Sequence, residues 1–164
     1  MRPFRDWLSA EFRRGENYLD LAAGSGDSLG IYPSEVSPVA SDFSFSMLRV
    51  LKAKAPVPLI QAEATELPFR ARAFAGITAI GLVEYIPVPR VLLSEISRVL
   101  KDNGWLAITI SQPNFLNLLR NFSGSRLHYY SIEKFSQLAA GQGFRLVHSN
   151  KTLLQCQLLF QKSE

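Results

Sequence analysis

Residues Tyr18-Leu19-Asp20-Leu21-Ala22-Ala23-Gly24-Ser25-Gly26-Asp27 run from an apolar stretch through a carboxylate into a loop of small residues with a second carboxylate behind it. Small side chains at Ala22, Gly24 and Gly26 let a backbone turn sharply and approach a ligand closely. A further carboxylate, Asp42, follows Gly24 by 18 residues. That is near the spacing of ~20 residues at which an acidic side chain reaches a ribose hydroxyl in nucleotide-binding α/β folds. These types at these positions permit recognition of an adenosine-bearing ligand. The alternative is a tight strand-to-helix turn with no ligand at all.

Charge narrows the choice of ligand. A dinucleotide pyrophosphate calls for G-x-G-x-x-G at the start of a helix, but Leu29 stands in the third glycine position. The carboxylates Asp20, Asp27, Asp42 and Glu63 suit a ligand with an ammonium and a sulfonium better than one with two phosphates. S-adenosylmethionine meets that description, and NAD does not.

Four blocks in one order extend the pattern. They are Leu19 to Asp27, then Ser41-Asp42-Phe43-Ser44-Phe45-Ser46-Met47-Leu48, then Gln61-Ala62-Glu63-Ala64-Thr65-Glu66-Leu67-Pro68-Phe69, then Leu93-Ser94-Glu95-Ile96-Ser97-Arg98-Val99-Leu100-Lys101-Asp102-Asn103-Gly104. With them the chain resembles the class I S-adenosylmethionine-dependent methyltransferases, and within these the ubiquinone/menaquinone-biosynthesis C-methyltransferase branch. The resemblance covers residues 18 to about 112. Gly141-Gln142-Gly143-Phe144 looks like the late helix-to-strand junction of the same family.

The resemblance implies a role for each matching residue. Asp20 is expected near the ammonium of the methionine end, with the backbone of Ala22, Gly24 and Gly26 passing along the methionyl and ribose portion. Asp42 is expected to accept from the ribose hydroxyls, Phe43 to lie against the adenine, and Met47 to border it. Glu63 and the Ala64 N–H are expected at the adenine edge, and Ile80 is expected to turn its carbonyl towards the cofactor. The product would be S-adenosylhomocysteine. Two departures are visible: Ala22 replaces the first loop glycine, and Ala75 follows Phe74 where the family usually has Phe-Asp.

Candidates for the methyl acceptor are Glu84 and Tyr85, just after the fourth strand, and His128, Tyr129 and Tyr130 ahead of a late helix. Glu84, Tyr85 or His128 is placed to position or deprotonate an acceptor, and the tyrosines are placed to stack on a flat ring. The alternative for Tyr85 and the later tyrosines is packing, and for His128 it is a surface or hydrogen-bonded histidine. No catalytic residue is assigned, because methyl transfer from a sulfonium needs little acid/base help and mainly needs alignment. No His/Cys spacing suggests a metal.

The elements that must position these residues alternate between strand and helix. The expectation is a three-layer α/β/α, Rossmann-like class I methyltransferase fold. Its mostly parallel seven-stranded sheet would end in a C-terminal antiparallel hairpin. Helices are expected over 4–14, 44–55, 88–101, 113–122 and 131–140, with only a short or broken one over 28–38, where Gly30, Pro33 and Pro38 lie. Asn103-Gly104 is expected to stop the helix that carries Val91, Leu92, Ile96, Val99 and Leu100 as its inner stripe. Strands are expected over 17–22, 38–42, 57–62, 74–80, 105–110, 144–149 and 152–161. Helix 4–14 carries Phe4, Trp7, Leu8 and Phe12 on one side. That face is expected either to roof the acceptor pocket across residues 111 to 130 or to meet a second subunit, such as the other copy in a homodimer.

At 164 residues, with 47% hydrophobic and 20% charged side chains, the chain is expected to be one globular domain over 1–164. It has no apolar run of membrane-spanning length and no signal-like start, so it is expected to be cytoplasmic. Residues 103–164 hold six basic and two acidic side chains, which accounts for the whole net charge of +4. The reading favoured here is a methyltransferase acting on a small or lipid-like acceptor, with a quinol-type aromatic as one form. Two alternatives stay open. One is an RNA or protein methyltransferase, although nothing resembles an RNA-binding module and nucleic acid is not the expected partner. The other is a cofactor-binding subunit that needs a partner for activity.

Overall fold

A computed structural model describes residues 2–8, 10–112 and 127–164. Its sheet has seven strands: β1 (Tyr18–Leu21), β2 (Val39–Asp42), β3 (Leu59–Gln61), β4 (Phe74–Ala79), β5 (Leu100–Ser111), β6 (Phe144–Lys151) and β7 (Gln155–Lys162). Their order across the sheet is β3-β2-β1-β4-β5-β7-β6. The first five are parallel, while β7 runs antiparallel to both β5 and β6. This is the expected architecture, including the C-terminal hairpin.

Helix α1 (Arg2–Leu8) and a 3-10 turn (Asp27–Ile31) lie on one face, where Phe4, Leu8, Tyr18, Ile31, Trp105 and Ala107 form one buried cluster. Helices α3 (Pro89–Val99) and α4 (Ile132–Ala140) cover the other, against Leu19, Leu21, Ile77, Leu106 and Ile108. Neighbouring residues of β1 and β5 thus fall into opposite clusters, as the two-residue period of a strand requires. Helix α2 (Phe45–Lys54) follows β2 and buries Leu48 and Leu51.

Local chemistry explains several boundaries. Ser44 caps α2 by accepting the Met47 N–H, and Ser131 caps α4 by accepting that of Lys134. Pro89 opens α3 at a position where its missing N–H costs nothing. The segment after the glycine loop stays a single 3-10 turn, consistent with the prolines that follow it.

Three expectations need correction. Helix α1 ends at Leu8. Phe12 reaches the aromatic cluster from outside the helix, with its ring 5.2–5.5 Å from those of Tyr18, Tyr32 and Trp105. Phe4 and Leu8 are fully buried within this chain, and Trp7 stacks on His148 of β6, so the apolar face needs no second subunit to cover it. Helix α3 ends at Val99, four residues before Asn103. Pairing with Phe74 draws Leu100 into β5, so Asn103-Gly104 sits inside that strand near an irregularity in its register with β4. Asn103 takes φ 61°, and a Cβ on Gly104 would lie 2.8–2.9 Å from the carbonyls of Lys101 and Ala75. Finally, Val91 faces outward and Leu93 is buried in its place. The helix expected over 113–122 lies outside the described residues, as does most of the segment expected to form a roof.

Candidate functional site

The chain winds outward from β1 in one direction and from β4 in the other, so the connections leaving the carboxyl ends of these strands part and leave a crevice. An open cleft of about 940 Å³ lies there. One wall begins at β1. Ala22 takes φ 57° and Gly24 φ 53°, so the loop turns through the left-handed region, which glycine enters freely and alanine does not.

Asp42, at the end of β2, closes this wall. Its Oδ2 accepts the Gly24 N–H at 2.8 Å and its Oδ1 accepts the Ser44 N–H at 2.8 Å. One carboxylate therefore holds both the glycine loop and the start of α2, and each oxygen keeps a lone pair for a further donor.

The loop after β3 brings in Glu63 and Ala64, and the turn after β4 brings in Ile80, Gly81, Leu82, Tyr85 and Ile86. Of the expected cofactor residues, Ala22, Gly24, Asp42, Phe43, Met47, Glu63, Ala64 and Ile80 all line this cleft. The Phe43 ring is 70% exposed at its rim, an apolar face that a flat ligand ring would cover.

Asp20 and Gly26 lie behind that lining. Gly26, at φ 90°, backs the loop against α2, and a Cβ there would sit 2.5 Å from Leu51 Cδ1. Asp20 is 0% exposed. It accepts from Ser28 Oγ at 2.5 Å and from Thr78 Oγ1 at 2.6 Å. The Tyr32 hydroxyl lies 2.8 Å from Thr78 Oγ1 and 3.0 Å from the Leu19 carbonyl. Burial pushes the Asp20 carboxyl up to about 6, against the pull of its two hydroxyl donors and with a small push from the Asp42 charge. Burial likewise raises the Tyr32 phenol well above its ordinary value. Asp20 thus supports the loop from below and presents no surface to the cleft.

The acceptor candidates separate in the same way. Tyr85 lines the cleft and is 56% exposed. Glu84 is buried, its Oε1 accepts from Ser111 Oγ at 3.3 Å, and its carbonyl accepts the His128 N–H at 2.8 Å. Tyr130 turns into the core against Phe135, and its N–H donates to the Ser111 carbonyl at 3.0 Å. His128 and Tyr129 are half-buried, and neither they nor Tyr130 line the cleft.

Leu82 and Ile86 also line it and were not among the expected residues. Their only sequence signal was the position after β4. Gly81, held by its N–H to Thr109 Oγ1 at 2.8 Å and at φ 70°, turns the chain so that they face inward. Among the described residues no group of His, Cys, Asp and Glu is set to hold a metal ion.

A family described as a methyltransferase domain matches residues 19–108, more than half of the chain. The chain belongs to that family. Its cofactor is S-adenosylmethionine, which the donor set fits: the carboxylates of Asp27, Asp42 and Glu63 and the apolar ring of Phe43. A demethylmenaquinone methyltransferase of Paenarthrobacter aurescens is 38% identical over 109 residues, covering 65% of this chain and 43% of that protein. One from Renibacterium salmoninarum is 36% identical over 104 residues, covering 62% and 44%. This methyltransferase domain therefore spans less than half the length of these relatives. A solved SAM-dependent methyltransferase from Methanosarcina mazei shares its fold, with a TM-score of 0.82 at 17% identity over 96% of this chain and 97% of that one.

Proposed function

We propose that this domain transfers a methyl group from S-adenosylmethionine to a flat, largely apolar acceptor of the quinol type. The observation that carries this reading is the division of the cleft. Asp42, Glu63 and the glycine loop make a polar wall, while Ile80, Leu82, Tyr85 and Ile86 make an apolar one. The named relatives act on demethylmenaquinone, and the apolar wall suits a ring of that kind.

When bound, the cofactor supplies an electrophilic methyl group on a positively charged sulfur. The residues of the chain bind and align. Asp42 would take the ribose hydroxyls while holding the Gly24 and Ser44 N–H groups. Phe43 and Met47 would cover the adenine, and Glu63 with the Ala64 N–H would meet its edge. Tyr85, with Leu82 and Ile86, would hold the acceptor ring against the methyl group and exclude water. Asp20 would keep the loop in shape through Ser28 and Thr78.

A nucleic-acid acceptor has less support. Lys162, one of the late basic residues, is engaged internally with Asp102 Oδ1 and the Leu100 carbonyl, each at 3.0 Å. The test is a transfer assay with labelled cofactor on a reduced demethylmenaquinone analogue, beside calorimetry with S-adenosylhomocysteine and NAD. The expected result is labelled quinone, clear binding of the homocysteine product and none of NAD. Binding without label on any quinol would keep the cofactor and remove this acceptor.

A further inference from the structure

Between β3 and β4 the chain runs through residues 62–73 without helix or strand, yet this loop must present Glu63 and Ala64 to the cleft. Its own backbone bonds hold little of it. Glu66 N–H donates to the Glu63 carbonyl at 3.1 Å, and Ala62 N–H to the Asp42 carbonyl at 3.2 Å. The firm grip comes from α3.

Glu95 Oε1 accepts the Leu67 N–H at 2.6 Å. Arg98 donates through Nη2 to the Leu67 carbonyl at 3.0 Å and through Nη1 to the Phe69 carbonyl at 2.8 Å. The two side chains are locked to each other by Nε to Oε2 at 2.8 Å and Nη2 to Oε1 at 2.6 Å. The Arg98 carbonyl also accepts the Arg72 N–H at 2.9 Å. Pro68, between the two gripped residues, fixes φ and contributes no donor. Only a planar, forked cation reaches a carboxylate and two carbonyls at once.

We infer that the Glu95–Arg98 pair is a positioning device for the adenine end of the cofactor site, holding the loop so that Glu63 and Ala64 face the cleft. The inference rests on the proposed cofactor reading. Neither side chain lines the cleft, and the grip falls three to six residues beyond the residues it serves. Arg98 draws Glu95 below the usual carboxylate range, so the pair stays charged at neutral pH. As a simple i,i+3 surface pair on a helix it would matter little. As a clamp on a loop that has few backbone bonds of its own and is otherwise anchored by the side chains of Leu67 and Phe69 in the core, it sets the geometry of a binding wall.

The experiment compares the intact chain with Arg98→Ala, Arg98→Lys and Glu95→Gln. It measures calorimetric affinity for S-adenosylhomocysteine and for adenosine alone, Tm, and amide exchange of residues 62–69 without ligand. Arg98→Ala is expected to weaken both ligands about ten-fold, the scale of lost charge-assisted hydrogen bonds, and to speed exchange at Leu67. Arg98→Lys, which keeps the charge but not the fork, is expected to recover only part of the affinity. In a Glu63→Ala background the effect of Arg98→Ala is expected to shrink, because the loop then has less to present.

Glu95→Gln keeps an acceptor for Leu67 and supplies the measurement if Arg98→Ala fails to fold. Unchanged affinity alongside a lowered Tm in that folded variant or in Arg98→Ala would make the pair merely structural and overturn the inference. No binding of either ligand by the intact chain would instead overturn the cofactor reading, and the inference with it.

Discussion

On the β1–β2 wall of the cleft, position is held by directed bonds: Asp42 grips Gly24 and Ser44, and Asp20 beneath it grips Ser28 and Thr78. On the β4 wall, one backbone bond from Gly81 to Thr109 sets a turn, and Leu82, Tyr85 and Ile86 offer surface and shape. A polar wall held in place by directed bonds discriminates sharply, because a wrong ligand desolvates its carboxylates without pairing them. A wall built from apolar surface discriminates by a methylene or a ring and is easily retuned. For that reason the family resemblance specifies the cofactor more sharply than the acceptor.

The largest effect is expected at Asp42. Asp42→Ala removes the acceptors of the Gly24 N–H in the loop and the Ser44 N–H at the start of α2, as well as the expected ribose contact. Affinity for S-adenosylhomocysteine is expected to fall by about 2–3 kcal/mol by calorimetry. Affinity within two-fold of the intact chain would remove the carboxylate from the site. On the opposite wall, Tyr85→Ala should do the reverse. It is expected to lower kcat/KM for the acceptor by about 1–2 kcal/mol through lost ring contact while leaving cofactor affinity in place. Equal losses for both ligands would show that the two walls are not independent.

Asp20, beneath the bonded wall, responds to pH. Its carboxyl rises to about 6 in the fold from an ordinary value of 3.8, so the fold favours the protonated form. That contribution is fully present below the unfolded value and is lost as pH rises through about 6, and above that pH the buried charge works against the fold. Asp20→Asn removes the titration. Its stability relative to the intact chain is expected to improve by about 1–1.5 kcal/mol between pH 5 and pH 8, read from urea midpoints. A constant difference across that range would mean that Asp20 ionises in the fold as it does in water.

That these residues would line one cleft was legible because spacing and residue type carry the pattern: small residues, a carboxylate at the end of one strand and another at the end of the next. What the sequence did not separate was Asp20 from Asp42. β1 is buried on both faces, so its pattern lacks the polar alternation that shows which way a side chain points. Asp20 shares a face with Tyr18 and pairs in register with Thr78, which places its carboxylate under the loop. The aromatic run His128-Tyr129-Tyr130 is ambiguous in sequence for a related reason, since stacking on a ligand and filling a gap need the same side chains. The Tyr130 side chain packs against Phe135 in the core. At α3, Asn103-Gly104 looked like a helix stop, but strand pairing with β4 claimed the chain from Leu100.

The smallest expected effect tests the bonded wall at its weakest residue. Ala22 stands at φ 57°, where its Cβ crowds the following carbonyl, yet it occupies the first small position of the loop and lines the cleft. Glycine there would relieve the strain but would also leave the unfolded chain more freedom to lose, and the two terms oppose each other. Strain is the larger of the two at a left-handed position. Ala22→Gly is therefore expected to stabilise the fold by about 0.5–1 kcal/mol, a rise in Tm of about 1–4 °C for a chain of this size. Cofactor affinity should stay within two-fold, because the loop already has the shape glycine would allow. A fall in affinity with a rise in Tm would show that the strained alanine helps to hold the loop closed over the ligand.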